Sequence, residues 1–184
     1  MSPTSMKKLL SLLATSILVL ATHAQTSPYA GDSTRAIKAL SEGDIARLSS
    51  GHGMGLARAA ELNSYPGPRH VLDMADRLEL TETQAAELNR VVDAMKSAAL
   101  PLGRDVIDRE KELDQLFTSK QATAEAVLQL TREIGRLQGE RRAVHLNAHV
   151  ATVAILNAGQ ISRYNELRGC DSPESAASPA PHRH

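Results

Sequence analysis

The sequence predicts an all-α protein, built as a long antiparallel helical hairpin with short N-terminal helices and a short C-terminal helix. Three observations carry this expectation. Leu88, Val92, Met95, Ala99, Leu102, Val106 and Leu113 follow one another at intervals that keep one helix face apolar. Val127, Leu130, Ile134, Leu137, Val144, Ala148, Ala151 and Ile155 do the same further on. The connector between them, Thr118–Ala122, is short and polar, so the two stripes are expected to close on each other as neighbouring antiparallel helices.

In chain order, Pro28 and Ala30-Gly31 make an extended lead and a turn. Asp32 or Ser33 then caps a short helix carrying Ile37 and Leu40, and Ser41 caps a second carrying Ile45 and Leu48. Gly51-His52-Gly53-Met54-Gly55 interrupts this helix. Its glycines resemble a phosphate-binding loop only superficially, because no strand precedes them and no Lys-Ser/Thr follows. The stretch reads as a turn between helices. Leu56–Leu62 is expected to be helical, Asn63 to Pro68 to end it, and Arg69–Leu78 to bury Val71, Leu72, Ala75 and Leu78. Thr81 opens the first long helix with Gln84 three residues on, a capping box, and Pro101 inside it predicts a kink. The second long helix runs from near Thr123 to near Leu156, with Arg141 at or inside its seam, beside a solvated gap or a partner carboxylate. Asn157, again with Gln160 three residues on, caps a last helix bearing Ile161, Tyr164 and Leu167, which Gly169 stops.

The first 24 residues read as a cleaved export signal. Lys7 and Lys8 precede an apolar run from Leu9 to Ala21, and Thr22-His23-Ala24 is a small-x-small cleavage site. A membrane anchor is the competing reading, but the run falls short of the roughly 18–20 residues a span needs. Residues 25–68 then form an N-terminal short-helix segment, 69–169 the hairpin domain, and 170–184 a tail whose Ser, Pro, Ala and His content predicts disorder. Without Lys7 and Lys8 the chain holds 19 basic and 21 acidic residues, and no basic block argues for nucleic acid. Phe117, Tyr29, Tyr65 and Tyr164 are the only aromatic residues, too few for a cofactor-stacking site. Cys170, the one cysteine, is either a free thiol or half of an intermolecular bridge.

Leu80-Thr81-Glu82-Thr83-Gln84 matches the LTxxQ motif of the periplasmic Spy/CpxP-like proteins. Asn157-Ala158-Gly159-Gln160, followed by Tyr164 to Gly169, resembles its second copy, with Asn157 in the usual Thr position and Leu156 retained. Asn caps a helix as well as Thr does, so the helix start survives. The resemblance spans roughly Val71 to Gly169. It implies a cradle-shaped homodimer in the periplasm without enzymatic activity. It also implies a choice among ATP-independent chaperone, regulator of a membrane stress sensor, and heavy-metal sensor or resistance protein binding zinc, nickel or cobalt, to which a thioether such as that of Met74 adds copper by its softness. A dimer is expected on physical grounds too, since so thin a hairpin cannot cover both of its faces.

His145 and His149, at i and i+4 on the second long helix, are a two-point metal ligand at the edge of the seam. Solvated boundary histidines are the bland alternative. Leu146 stands where a zinc-protease helix needs Glu, so that chemistry is excluded. His70 and Met74 repeat the spacing, although Met74 is equally a core side chain. His52, Met54 and Glu61 are further candidate ligands, while His182 and His184 belong to the tail. For binding of unfolded clients or a membrane sensor, Lys111, Arg132, Arg136, Arg141 and Arg142 supply charge around an apolar surface, or form an ordinary solvated face. No nucleophile–base pair or paired-carboxylate motif stands out, so an enzyme is not expected.

Overall fold

The computed structural model describes residues 27–169. The expected export signal, Cys170, His182 and His184 lie outside them. Ser27–Gly31 belongs to a separate N-terminal unit and makes a turn closed by the Ala30 amide on the Ser27 carbonyl (3.0 Å). From Asp32 onward the described residues form one unit made of six α-helices. These are α1 (Glu42–Ser49), α2 (Arg58–Glu61), α3 (Pro68–Asp73), α4 (Glu82–Thr118), α5 (Ala124–Ile155) and α6 (Ala158–Arg168).

The hairpin is α4 against α5, as the two stripes require. Leu88, Ala99 and Val106 on α4 and Ile134, Leu137 and Ala148 on α5 are buried. Removing a leucine- or valine-sized side chain from water in this way contributes about 1.5–3 kcal/mol each. Thr81 accepts from the Gln84 amide at 3.1 Å and opens α4, and Thr123 accepts from the Ala126 amide at 3.2 Å and opens α5. The helix α4 continues through Pro101. Gly169, at φ 69°, ends α6 in the left-handed conformation expected of it.

The N-terminal segment lies on the hairpin rather than beside it: α1 and α3 pack on α4, and α2 and α3 pack on α5. Its first part departs from expectation. No helix forms over Ser33–Leu40; Ile37 and Leu40 instead pair in an isolated bridge. A tertiary anchor replaces the helix, because the Lys38 amide donates to Asp114 Oδ1 at 3.2 Å and Ile37 is buried. The helix α1 forms as expected, with Ser41 and Asp44 closing a capping box. It crosses α4 at Gly103, where a β-carbon would overlap the Leu48 carbonyl. Only a glycine admits that approach. The next two helices are shorter than their sequence signals. Gly55, at φ 76°, holds Leu56 and Ala57 in turns before α2, and Glu79, at φ 50°, closes a series of turns after α3.

Two clusters form the core. Val71, Leu78, Leu88, Leu156 and Tyr164 gather where α3, α4 and α6 meet, with Met74 packed against them. Leu48, Val106 and Leu137 form the second, under α1. Between these clusters the inner face of α5 carries polar side chains.

Candidate functional site

Three consecutive turns of α5 place Arg141, His145 and His149 on the buried face, at 4, 4 and 8% exposure. The i, i+4 spacing put the two imidazoles on one face as expected, but that face is covered. The N-terminal segment covers it, so the histidines are not boundary residues. Two glycines make the cover possible. A β-carbon at Gly53 would lie 3.2 Å from His145 Nδ1, and one at Gly67 would lie 3.0 Å from His149 Cε1. The backbone therefore rests directly on the rings.

His149 Nδ1 is 2.7 Å from the Tyr65 carbonyl. A carbonyl only accepts, so Nδ1 carries a proton in this contact. Glu61 stands beside it, with Oε2 3.6 Å from His149 Nδ1. Its Oε1 accepts from the Tyr164 hydroxyl and lies 3.3 Å from Arg168 Nη2. Burial, then the Glu61 hydrogen bond and charge, raises the Tyr164 phenol above its ordinary range. Asn165 Nδ2 donates to Ser64 Oγ at 2.8 Å, so α6 also ties down the chain just before Tyr65.

His145 has no such partner. Its Nε2 is buried without a hydrogen bond. Burial pushes its pKa down to about 4, with Arg141, His149 and His52 acting in the same direction. The ring is neutral at physiological pH. Arg141 donates through its guanidinium to the His52 carbonyl, its Nε is unsatisfied, and burial lowers its pKa. It faces neither a solvated gap nor a carboxylate, and it is no part of a solvent-facing charged surface, contrary to expectation.

Two adjoining cavities open at this face. The larger, about 460 Å³, is lined by Met54, Glu61, His70, His145, His149 and Arg168 among others. The smaller, about 290 Å³, lies under the glycine turn and shares His70 and His145 with the first. The candidate ligands His145, His149, His70, Met54 and Glu61 thus meet on one cavity. His52 lines the other, with its Nδ1 2.6 Å from Ser50 Oγ. Met74 does not join them, because it packs in the core. Among the described residues no three His, Cys, Asp or Glu side chains gather as a metal-binding group. Glu61 is engaged by Tyr164 and Arg168, and His149 Nδ1 by Tyr65. Of the expected charged surface, Lys111, Arg132, Arg136 and Arg142 are exposed, and Arg136 is held by Glu133 and Glu140.

Sequence reasoning missed Tyr164, Arg168 and the two close-contact glycines. Tyr164 and Arg168 stand four apart on α6 and share its Glu61-facing side, a spacing visible in the chain. Their partner on α2 was not.

At the far end of the hairpin base, the two capping glutamines meet. Gln84 Oε1 accepts from its own N-cap amide, Thr81 (3.1 Å), and Gln160 Oε1 from its own, Asn157 (3.0 Å). Each carboxamide also donates to the other, at 2.9 and 3.0 Å. The remaining donors reach the Ile155 carbonyl (2.9 Å) and the Leu78 carbonyl (3.2 Å). A family model described as LTXXQ motif family protein matches residues 67–168. The chain belongs to the LTXXQ motif family. Membership makes it a relative of the Spy/CpxP-type proteins, a non-enzymatic periplasmic group. No curated protein and no solved structure matches the chain. In this LTXXQ protein the motif is a lock: its glutamines fasten the start of α4 to the start of α6. No helix among the described residues is long and apolar enough to cross a membrane.

Proposed function

We propose that this LTXXQ protein is a non-enzymatic periplasmic envelope-stress protein of the Spy/CpxP type, which binds unfolded clients or the outer domain of a membrane stress sensor. The observation that supports this most directly is the hairpin held at its base by Gln84 and Gln160, with apolar and cationic side chains exposed along it. Phe117 (55%), Leu128 (49%) and Val150 (56%) face solvent, and Lys111, Arg132 and Arg142 are exposed on the same two helices. Scattered apolar contacts hold an unfolded segment weakly, and nearby charges keep the complex soluble. A homodimer fits the half-buried Leu113, Leu116, Val127 and Leu130 near the tip of the hairpin.

Residues 25–184 should slow the aggregation of a chemically unfolded substrate at stoichiometric concentration. Phe117→Ser/Leu128→Ser should weaken that effect several-fold, and light scattering reads it. Unaltered aggregation in the presence of the wild-type chain would remove the client-binding reading, leaving co-purification with a sensor domain as the remaining test.

A second reading, a divalent-metal sensor using His145 and His149, is supported by the cavity those rings share with Met54 and Glu61. It requires Glu61 to leave Tyr164 and Arg168. Titration with zinc, nickel, cobalt and copper decides it, against His145→Ala/His149→Ala. Stoichiometric binding lost in the variant supports a sensor; equal binding by both chains rejects it.

A further inference from the structure

The smaller cavity has a chemistry that neither reading uses. Arg69, Lys96, His52, His70, His145 and Ser50 supply its polar lining, and no acidic side chain reaches it. Neither Arg69 nor Lys96 makes an ion pair or a side-chain hydrogen bond among the described residues. The larger cavity beside it adds Arg58 and Arg168 against a single carboxylate, Glu61, which is already engaged. Behind the glycine turn lies Arg141, a buried guanidinium with no carboxylate partner, donating to the carbonyl of His52. A buried charge left without a counter-charge is destabilising. His145, which lines both cavities, keeps a buried nitrogen unsatisfied. Unpaired cations and the absence of acidic side chains in the smaller cavity are the complement of an anion.

We propose that the cavity between the glycine turn and the α4–α5 pair binds a small tetrahedral oxyanion of the phosphate or sulfate kind. Lys96 offers a point charge and Arg69 a planar fork of donors, a combination suited to several oxygens at once. The neutral His145 ring, protonated on one nitrogen, adds a donor without adding charge. The cavity volume accommodates such an ion. The turn rests on α4, since a β-carbon at Gly51 would lie 3.6 Å from the Leu100 side chain and 3.7 Å from the Lys96 carbonyl. A bound anion would bridge Arg69 on α3, Lys96 on α4 and His145 on α5, and so would tighten the N-terminal segment onto the hairpin.

The test is calorimetric titration of the full mature chain with sodium phosphate and with sodium sulfate, against sodium chloride at matched ionic strength. Arg69→Gln/Lys96→Gln is the test variant and Arg132→Gln the control; all three positions are exposed, and circular dichroism checks that each variant folds. Saturable binding of either oxyanion is expected, weakened at least tenfold in the test variant and unchanged in the control. Binding equal in all three chains means an adventitious ion only and overturns the proposal, as does heat no greater than chloride produces. The readout is separate from aggregation suppression and from metal titration, so loss of the stress-protein reading leaves it standing.

Discussion

Gln84 and Gln160, 76 positions apart, exchange hydrogen bonds between their side-chain amides at 2.9 and 3.0 Å. Each is also the third residue of its own helix and closes its own capping box. A local signal for starting a helix therefore doubles as a tertiary clasp. Gln84→Ala and Gln160→Ala should each destabilise the chain by about 1–3 kcal/mol, because each leaves buried polar groups unpaired. The double variant should lose less than the sum, by about 1 kcal/mol, since the second truncation removes a partner already orphaned. Urea unfolding of the four chains measures this; strict additivity would mean that the glutamines act only as separate caps.

Gly103 and Gly135 make an opposed pair. Both are interior helical glycines, but a β-carbon at Gly103 meets the Leu48 backbone while one at Gly135 meets nothing within 4 Å. Gly103→Ala should cost about 1–3 kcal/mol by pushing α1 off α4. Gly135→Ala should stabilise by up to about 1 kcal/mol through helix propensity. Thermal unfolding of both variants checks the signs, and a stabilising Gly103→Ala would contradict the close crossing.

Acid should weaken the fold through His145. In the unfolded chain the ring titrates near 6.5, and in the folded chain near 4. Between these values the unfolded chain takes up a proton that the folded chain refuses. Stability is therefore full above pH 6.5, declines as pH falls toward 4, and is level below that, by at most about 3 kcal/mol. Arg141, His149 and His52 are the groups whose charge opposes protonation there. His145→Gln should flatten this part of the stability–pH curve, as measured by denaturant midpoints at pH 7.5, 6, 5 and 4. An equally steep decline in the variant would place the titrating group elsewhere.

Glu61→Gln tests the clasp between α2 and α6. The amide still accepts from Tyr164 but no longer neutralises Arg168, so a loss of about 1–2 kcal/mol is expected. The Tyr164 phenol should also titrate lower than in the wild type, while staying above the ordinary range because burial is its larger cause. Spectroscopic titration of the tyrosines reads the shift; an unmoved Tyr164 would deny the contact.

Every long element was legible because its cause is local. The stripes from Leu88 to Val106 and from Ile134 to Ala148, the caps at Ser41, Thr81, Thr123 and Asn157, and the stop at Gly169 each arise from residues within a turn or two. The elements that differed are the short ones. Ser33–Leu40 has a helix cap, but eight residues do not outweigh Asp114, an anchor 76 positions away on α4. At the candidate site the same division holds. The spacing of His145 and His149 put both rings on one side of a helix, yet nothing in that spacing says what covers it.

Local pattern along the chain specifies an all-helical hairpin, its start and stop signals, and the two glutamines of the LTXXQ motif. Packing of distant segments buries His145, His149 and Arg141, brings the backbone at Gly53 and Gly67 onto the imidazoles, and sets Glu61 against Tyr164 and Arg168. The reason is range. Helix formation is governed by neighbours three and four positions apart, whereas the burial of a polar group is set by chain that returns from about 80 to 100 positions away, as Tyr65 does to His149 and Tyr164 to Glu61.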